Sequence, residues 1–538
     1  MKKALIYLSF AVIPIVILLL SIYLRAAQGP HWLGSTVDPD YAYLFNSLSL
    51  SKGYPIGHFD HPGTPVQMLG SLTIRVLNVS RGQPDMIADV VKNPELYLNS
   101  LQNLILAINI LVVLFVGILS YKITKNSKLA ILMQLTPFLT MNMLYSPLVK
   151  VDPEALLFGI SLSFALLLLY ITYSKNLKLS LIFFSFLIGL GTATKLTFFP
   201  LIIIPLIIIK GFKKKLALLA GTALSFYFFT KPIVSDYPAL WEWVKSLFFH
   251  SGRNGEGAAT IVAFSSVVSS LKDQITSEPI FIALSLIGLV LIYVYKFSKN
   301  KKELTASQKS DFSMLAAVVI AQLVQILFVA KHAGPAYLIP VLGLSSVSII
   351  LIWRVTKDSS FWQKNILSLN KATFIISVVL LVALFRSAFL LKSSGDLLEQ
   401  TKAEQMSAYT FVHENYPNDI IIRYHRSTDP LYGLKFGNIF VHDEFSNYLD
   451  AIYPNSYFWD IWNARLTSWS SVPVSPDSMI KKDAQRLIFQ GTSFELQYSD
   501  YPNYKPNIDL KDVYGKAANT QEHETVYQYD LPKLPVKN

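Results

Sequence analysis

The 538-residue chain contains no cysteine and few charged residues. Without cysteine there can be no disulfide, no thiolate metal ligand and no cysteine nucleophile, and the compartment stays open. Charged residues make up 15% of the sequence, against roughly a quarter of a typical globular chain. This composition excludes a soluble enzyme, a disordered protein and a fibrous protein.

Hydrophobic residues make up 52% of the sequence, and many of them occur in long uninterrupted runs. Runs of about 20 apolar residues are typical of helices that cross a membrane. The first run follows Lys2 and Lys3, extends to about Leu24 and lacks a small-residue cleavage site. We therefore predict an uncleaved first helix, kinked at Pro14. Ten further spans are predicted at about 102–121, 129–146, 155–173, 179–194, 196–210, 215–230, 279–296, 312–330, 336–353 and 372–391. The predicted fold class is a polytopic α-helical membrane protein with about eleven transmembrane helices.

Lysine and arginine recur at regular intervals between the predicted spans. If the N-terminus is cytoplasmic, every short loop on the cytoplasmic side is basic, as the positive-inside rule requires. These basic loops lie at about 122–128, 175–178, 210–215, 296–309 and 354–371. Membrane orientation therefore explains most of the net charge of +12, and no nucleic acid partner is needed.

The predicted topology divides the chain into a membrane module and an external domain. Residues 1–392 form the membrane module, with long external loops at 25–100 and 231–278. An odd number of spans places residues 393–538 outside, where hydropathy falls and Asp, Asn, Tyr and Pro become frequent. A short amphipathic helix through Val412–Tyr416 and strands at Ile420–Arg423 and Leu487–Phe489 predict a small soluble α/β domain there.

Polar and ionisable residues collect in the predicted external turns. Because several of these turns are tight, we expect the side chains at or just inside the membrane boundary, where they would form one cavity open to the outer face. The alternative for any single lysine is an interfacial anchor. The candidates are Asp38, Asp40, His58, Asp60, His61, Lys150, Asp152, Glu154, Lys195, Lys331, His332 and Tyr337.

Two kinds of chemistry suit this set. The paired acids Asp38 and Asp40 can activate a hydroxyl or hold a divalent cation, although acids before a helix also serve as N-caps. Scattered basic residues near the membrane suit an anionic headgroup or a phosphate leaving group. A substrate with a phosphate at the interface and a tail in the lipid would suit both the acids and the basic residues.

The order of these motifs resembles that of the GT-C superfamily of polytopic glycosyltransferases, especially the branch of protein mannosyltransferases and lipid A aminoarabinose transferases. The resemblance covers roughly residues 1–390 and rests on short motifs. They are Asp38-Pro-Asp40-Tyr41, Gly53, His61-Pro-Gly-Thr-Pro65, Val151-Asp-Pro-Glu-Ala155, Gly189 to Lys195, and His332 to Pro340. The family commonly has Asp-Glu where this chain has Asp38-Pro39, so either Asp38 or Asp40 matches the family's acid.

The resemblance implies a GT-C-like fold and transfer of a sugar from a polyprenyl-phosphate donor to an acceptor hydroxyl at the extracytoplasmic face of the cell membrane. It implies Asp38 or Asp40 as the base in an inverting single displacement. Lys195, Lys331 and His332 would hold the donor phosphate, and His58, His61, Asp152 and Tyr337 would contact substrate. Relatives differ in their use of Mg²⁺ or Mn²⁺, which Asp38 and Asp40 would bind here.

Several alternatives stay open at this point. His58 and His61 also suit structural contacts to loop carbonyls, and Glu154 suits an ion pair with Lys150. Gly252–Gly257 suits either a mobile flap or an ordinary loop. The acceptor is a lipid, a glycan or a protein. The rival functions are a lipid-linked sugar flippase or transporter, and a non-catalytic membrane subunit.

Overall fold

The computed structural model describes most of the chain up to residue 474 and three short strands beyond it. The described residues are 2–33, 36–174, 177–251, 255, 257–260, 264–297, 305–331, 334–357, 369–424, 426–460, 465–474, 486–492, 505–508 and 524–530.

Helices dominate the described residues from the N-terminus to Lys357. In chain order they are α1 Lys2–Ser9, α2 Val12–Gln28, α3 Val37–Lys52, α4 Thr64–Arg81, α5 Met86–Lys92, α6 Pro94–Thr124, α7 Ser127–Gln134, α8 Tyr145–Val149, α9 Pro153–Ser174, α10 Leu177–Thr194, α11 Ile203–Ile208, α12 Phe212–Thr230, α13 Tyr237–Phe249, α14 Phe264–Ser277, α15 Pro279–Phe297, α16 Ala306–Lys331, α17 Ile339–Leu342 and α18 Ser345–Lys357. Short 3₁₀ helices cover Thr136–Leu139, Met141–Met143, Leu196–Ile202, Lys231–Asp236 and Pro335–Leu338.

A long helix and a mixed sheet follow. The helices are α19 Leu369–Asn415, α20 Pro430–Ile439 and α21 Ser446–Ile452. The strands are β1 Ile420–Arg423, β2 Tyr457–Asp460, β3 Arg465–Thr467, β4 Arg486–Thr492, β5 Lys505–Ile508 and β6 Glu524–Asp530. Within the described residues these strands form one sheet in the order β3-β2-β1-β4-β6-β5. The central strand β1 runs parallel to both β2 and β4, and the outer pairs are antiparallel.

The first apolar run breaks between α1 and α2, three residues before the proline that we expected to kink it. Proline has no amide hydrogen, and its ring clashes with the carbonyl four residues earlier, which here belongs to Phe10. Just before this point the backbone forms hydrogen bonds to the carbonyl three residues earlier, from the Phe10 amide to Tyr7 and from the Ala11 amide to Leu8. The break therefore lies one turn upstream of Pro14.

Seven helices in the described part of the chain are long and apolar enough to cross a membrane, or eight if the bent pair Pro335–Leu342 and Ser345–Thr356 is one span. Two shorter apolar helices lie at Leu179–Thr194 and Leu196–Ile208. The helical fold with a small sheet near the C-terminus agrees with a polytopic membrane protein. The number eleven stays a prediction, because several apolar segments are too short or too broken to qualify by length.

The chain forms two compact units. The first, the helical unit, comprises Met1–Ile22, Phe59–Val66 and Asn103–Ser393. The second, the sheet unit, comprises Tyr23–His58, Gln67–Gln102 and Ser394–Asn538. The predicted division of the chain at residue 392 stays a prediction.

Small residues allow close helix packing in the helical unit. A Cβ added to Gly189 of α10 would lie 2.4 Å from the Ser225 Cβ of α12, and one added to Gly221 would lie 2.7 Å from the Ser185 Oγ. Such contacts are typical of helices that associate in lipid, where packing replaces the hydrophobic effect. Large apolar side chains remain on the outside of these helices, including Ile182 and Phe228, which suits a surface facing lipid tails.

In the sheet unit, α3 and α20 pack side by side in the same direction. A Cβ on Gly433 would lie 2.8 Å from the Tyr41 ring, and one on Gly437 would lie 2.4 Å from the Phe45 ring. The second pair lies four residues further along both helices than the first, so the two helices run parallel. The two helices therefore begin at the same end.

Substituting Gly437 with alanine should destabilise the sheet unit. The new methyl group would also lie 2.8 Å from the Tyr41 carbonyl oxygen, which cannot rotate away, so the two helices must separate. Overpacking of this kind typically costs about 1–3 kcal/mol. Thermal unfolding followed by the fluorescence of Trp469, buried in this unit, measures the loss, and an unchanged transition would contradict the close packing.

Candidate functional site

Asp38 and Asp40 lie in the first turn of α3, in two different environments. Asp38 is exposed and has a non-helical backbone, with φ −96° and ψ 120°. Asp40 is fully buried, at 0% exposure. A general base must reach a substrate proton, so the two acids are not equivalent candidates for that role.

Asp40 is held by a buried histidine. The Oδ2 of Asp40 lies 2.6 Å from the Nδ1 of His31, and the backbone amide of His31 donates to the Oε2 of Glu95 at 3.0 Å. Burial lowers the pKa of His31, but its hydrogen bond to Asp40 and the charge of that carboxylate outweigh burial and raise it overall. The buried carboxylate is thus paired with a histidine that tends to be cationic, which offsets the cost of its burial.

The two predicted loop histidines belong to different compact units. His58 lies in the sheet unit, where its backbone amide donates to the Oδ1 of Asn46 at 3.0 Å. Its ring meets those of Tyr43 and Phe440 edge-on, with centroids 5.6 and 5.1 Å away. His61 lies in the helical unit, with its ring centroid 6.2 Å from that of Trp243. Contact of either histidine with substrate stays a prediction.

The helical unit contains a buried cluster around Lys195, which follows α10. The side chain is 7% exposed, and its ammonium donates to the Oε1 of Glu154 in the first turn of α9. The same ammonium lies 4.2 Å from the ring centroid of Tyr337, within the range of a cation–π interaction. Residues from three distant parts of the sequence therefore meet at one cation.

Asp152 caps the start of α9 beside this cluster. Its Oδ1 accepts from the Ala155 amide at 2.8 Å, and its Oδ2 accepts from the Ser146 hydroxyl at 2.6 Å. Burial, followed by the charge of Glu154, raises the pKa of Asp152 from 3.8 to about 7. The charge of Lys150 acts on the same carboxyl in the opposite direction. Glu154, for which the sequence also suited an ion pair with Lys150, pairs with Lys195.

The elevated pKa of Asp152 predicts a pH-dependent stability. Because the folded pKa of about 7 exceeds the ordinary value of 3.8, Asp152 contributes stability that is complete below about pH 4 and lost as the pH rises through about 7. Asp152→Asn keeps a neutral group of the same shape. The melting temperature of the wild type should fall by a few degrees relative to this variant between about pH 5 and pH 8. Parallel melting curves would refute the shift.

The structure describes only some of the remaining candidate residues. The Lys331 ammonium, at the end of α16, donates to the carbonyl of Phe248. His332 lies outside the described residues, as do four positions of the Gly252–Gly257 run, namely 252, 253, 254 and 256. The role of Lys331 in donor binding stays a prediction.

The predicted cation between Asp38 and Asp40 also stays a prediction. Asp40 is buried and its Oδ2 already bonds to the His31 ring, so a cation there would have to displace that contact.

Sequence reasoning missed two residues beside the acids of α3. His31 precedes Asp40 by nine residues, a spacing that no helix or strand period brings together. Tyr432 of α20 lies almost 400 residues from Asp38 in the sequence, yet burial raises the pKa of its phenol with a further contribution from the charge of that carboxylate. Both neighbours result from folding of the sheet unit, and no local sequence signal indicates them.

The fold and these clusters define a helical protein suited to membrane insertion, with ionisable groups buried among its apolar helices. Comparison with known proteins finds no family model and no curated protein that matches this chain.

Proposed function

We propose that the protein is a membrane glycosyltransferase that moves a sugar from a polyprenyl-phosphate donor to an acceptor hydroxyl at the extracytoplasmic face of the cell membrane. In this proposal eleven spans cross the bilayer, the N-terminus is cytoplasmic and the C-terminal domain is external. The observation that carries it is the burial of Lys195 among apolar helices, where a cation is costly and by default points to function.

Lys195 is suited to a phosphate carried by a lipid. In the resting protein its ammonium is neutralised by Glu154, and a donor phosphate would compete with that carboxylate for the same cation. Asp152, with a pKa of about 7, is only about half ionised near neutral pH, so it repels the phosphate less than an ordinary aspartate would. In the reaction Lys195 would stabilise the charge that develops on the leaving phosphate oxygen.

Asp38 is the better candidate for the base. It is exposed, whereas Asp40 is buried and held by His31. In the proposed step Asp38 takes the proton of the acceptor hydroxyl as its oxygen forms a bond to the anomeric carbon. The bond from that carbon to the phosphate oxygen breaks, and its electron pair leaves with the lipid phosphate. A single displacement inverts the anomeric carbon, in contrast to the two-step retaining route.

Turnover in detergent tests this function against its rivals. Purified protein is mixed with polyprenyl-phosphate hexoses and pentoses labelled in the sugar, and with a membrane extract as acceptor. The proposal predicts label in the acceptor fraction without any second compartment. Binding of a donor without transfer would favour a flippase, since transport needs two sides. Neither binding nor transfer would favour a non-catalytic subunit.

A further inference from the structure

Three aromatic rings contact one another in succession at the surface of the sheet unit. The ring of Trp32, in the turn after α2, has its centroid 5.0 Å from that of Tyr409 in α19. The ring of Tyr409 lies 4.1 Å from that of His413, one helical turn later. All three residues are only half-buried. These rings form an aromatic platform, part of which is accessible from solvent.

Main-chain contacts on both sides of Trp32 hold the platform in place. Before it, the Lys402 ammonium of α19 donates to the carbonyl of Ala26 at 2.8 Å. After it, the Thr36 hydroxyl donates to the carbonyl of His31 at 2.9 Å. The turn that carries Trp32 is thus tied both to α19 and to the residue before α3.

The polar atoms of the platform are available to a ligand. Within the described residues, neither the indole N–H of Trp32 nor the hydroxyl of Tyr409 forms a hydrogen bond. The Nδ1 of His413 lies 2.9 Å from the Tyr409 carbonyl, which can only accept, so Nδ1 carries the hydrogen and Nε2 of the neutral ring can accept. The platform therefore offers a donor, a hydroxyl and an acceptor.

The charges behind the platform are already paired. Arg423 and Asp429 are buried and form an ion pair at 2.8 Å, and the Asp429 Oδ2 lies 3.7 Å from the His413 Nε2, beyond hydrogen-bond distance. Aromatic faces with a few neutral polar atoms suit a neutral ligand that has both apolar faces and hydroxyl groups. A sugar ring has this character, because its C–H groups form apolar faces and its hydroxyls both donate and accept.

The platform lies beyond the part of α19 that suits lipid tails. Ionisable residues recur after the apolar stretch at 372–391, namely Lys392, Asp396, Glu399, Lys402 and Glu404. Such residues are costly in the bilayer core. Tyr409 follows Lys392 by about 25 Å along the helix axis, whereas an aromatic belt lies at the membrane boundary itself. This position favours a water-soluble ligand over a lipid headgroup.

We propose that the aromatic platform of Trp32, Tyr409 and His413 binds a neutral glycan, which is the acceptor of the transfer. As an acceptor site it rests on the proposed function and deepens it, since it selects the glycan among lipid, glycan and protein acceptors. Six residues separate Trp32 from Asp38 in the first turn of α3, a distance of at most about 22 Å. A glycan of several sugar units can extend over that distance.

Binding of glycans from the membrane extract tests this site. Neutral glycans cleaved from the extract carry a fluorophore at the reducing end, and fluorescence anisotropy with purified full-length protein in detergent gives the Kd. Trp32→Ala and Tyr409→Ala should each raise the Kd about tenfold, because each removes an aromatic anchor. Trp32→Phe keeps a ring and should stay within about threefold of the wild type. The matched control is Tyr448→Ala, an exposed tyrosine of α21 in the same unit, which should leave the Kd unchanged.

Melting temperatures of the variants check folding, and His413→Ala, at a side chain 37% exposed, decides the matter if the other alanine variants do not fold. Absence of glycan binding by the wild type, or an equal Kd in the platform variants and Tyr448→Ala, overturns the inference. So does binding of labelled peptides from the same extract in place of glycans. If the wild type binds glycan as expected but transfers no sugar, the glycan site stands and the proposed function fails.

Discussion

Replacing Asp38 with asparagine should lower the rate of sugar transfer by about 10²–10⁴-fold, the usual contribution of a general base. Asparagine has nearly the same shape, and the side chain of Asp38 is exposed, so we expect the fold to tolerate the substitution. Donor binding should therefore persist while turnover is lost. The initial rate of label transfer, together with donor binding measured on the same preparation, checks this result.

Asp40→Asn is the matched control. Because Asp40 is buried and bonded to His31, its substitution should lower the melting temperature, while the folded fraction keeps most of its transfer activity. The opposite pattern, with full activity in Asp38→Asn and none in folded Asp40→Asn, would assign the base to Asp40.

Replacing Lys195 with methionine should have the second largest effect. The substitution leaves Glu154 buried among apolar helices without its ion-pair partner, and breaking a buried pair in this way costs about 3–5 kcal/mol. We expect a large drop in melting temperature in detergent. We also expect weaker donor binding, because the cation proposed to hold the phosphate is gone.

A second substitution separates these two effects. The double variant Lys195→Met/Glu154→Gln removes the unpaired charge and should recover most of the lost stability. The proposed function predicts that donor binding and turnover stay low in this double variant. If activity returns together with stability, Lys195 is a structural residue, as expected for an interfacial anchor.

Hydropathy and turn chemistry predicted much of the fold. The predicted strand at Ile420–Arg423 is β1, and the predicted span at 179–194 coincides with helix α10, Leu177–Thr194, whose apolar part is shorter than the helices long enough to cross a membrane. The predicted span at 129–146 is instead broken into short helices around Thr136–Leu139. An average over an apolar window does not record where a proline such as Pro137 interrupts the hydrogen-bond ladder.

The candidate residues could be predicted more readily than their partners. Tight turns with ionisable residues indicated Lys195 and Tyr337, and the structure brings these two side chains together. Sequence proximity favoured Lys150 as the partner of Glu154. In the structure α9 and α10 pack closely, and Glu154 forms an ion pair with Lys195. Such pairings depend on how helices pack, which the order of residues along the chain does not encode locally.

The identity of the lipid product tests the central claim most directly. Purified wild-type protein is supplied with the polyprenyl-phosphate sugar and the membrane extract, and mass spectrometry follows the lipids. The account predicts one polyprenyl phosphate released for each sugar transferred, and almost none from Asp38→Asn. Transfer of sugar without release of that lipid, or a donor that stays intact with every sugar offered, would contradict it.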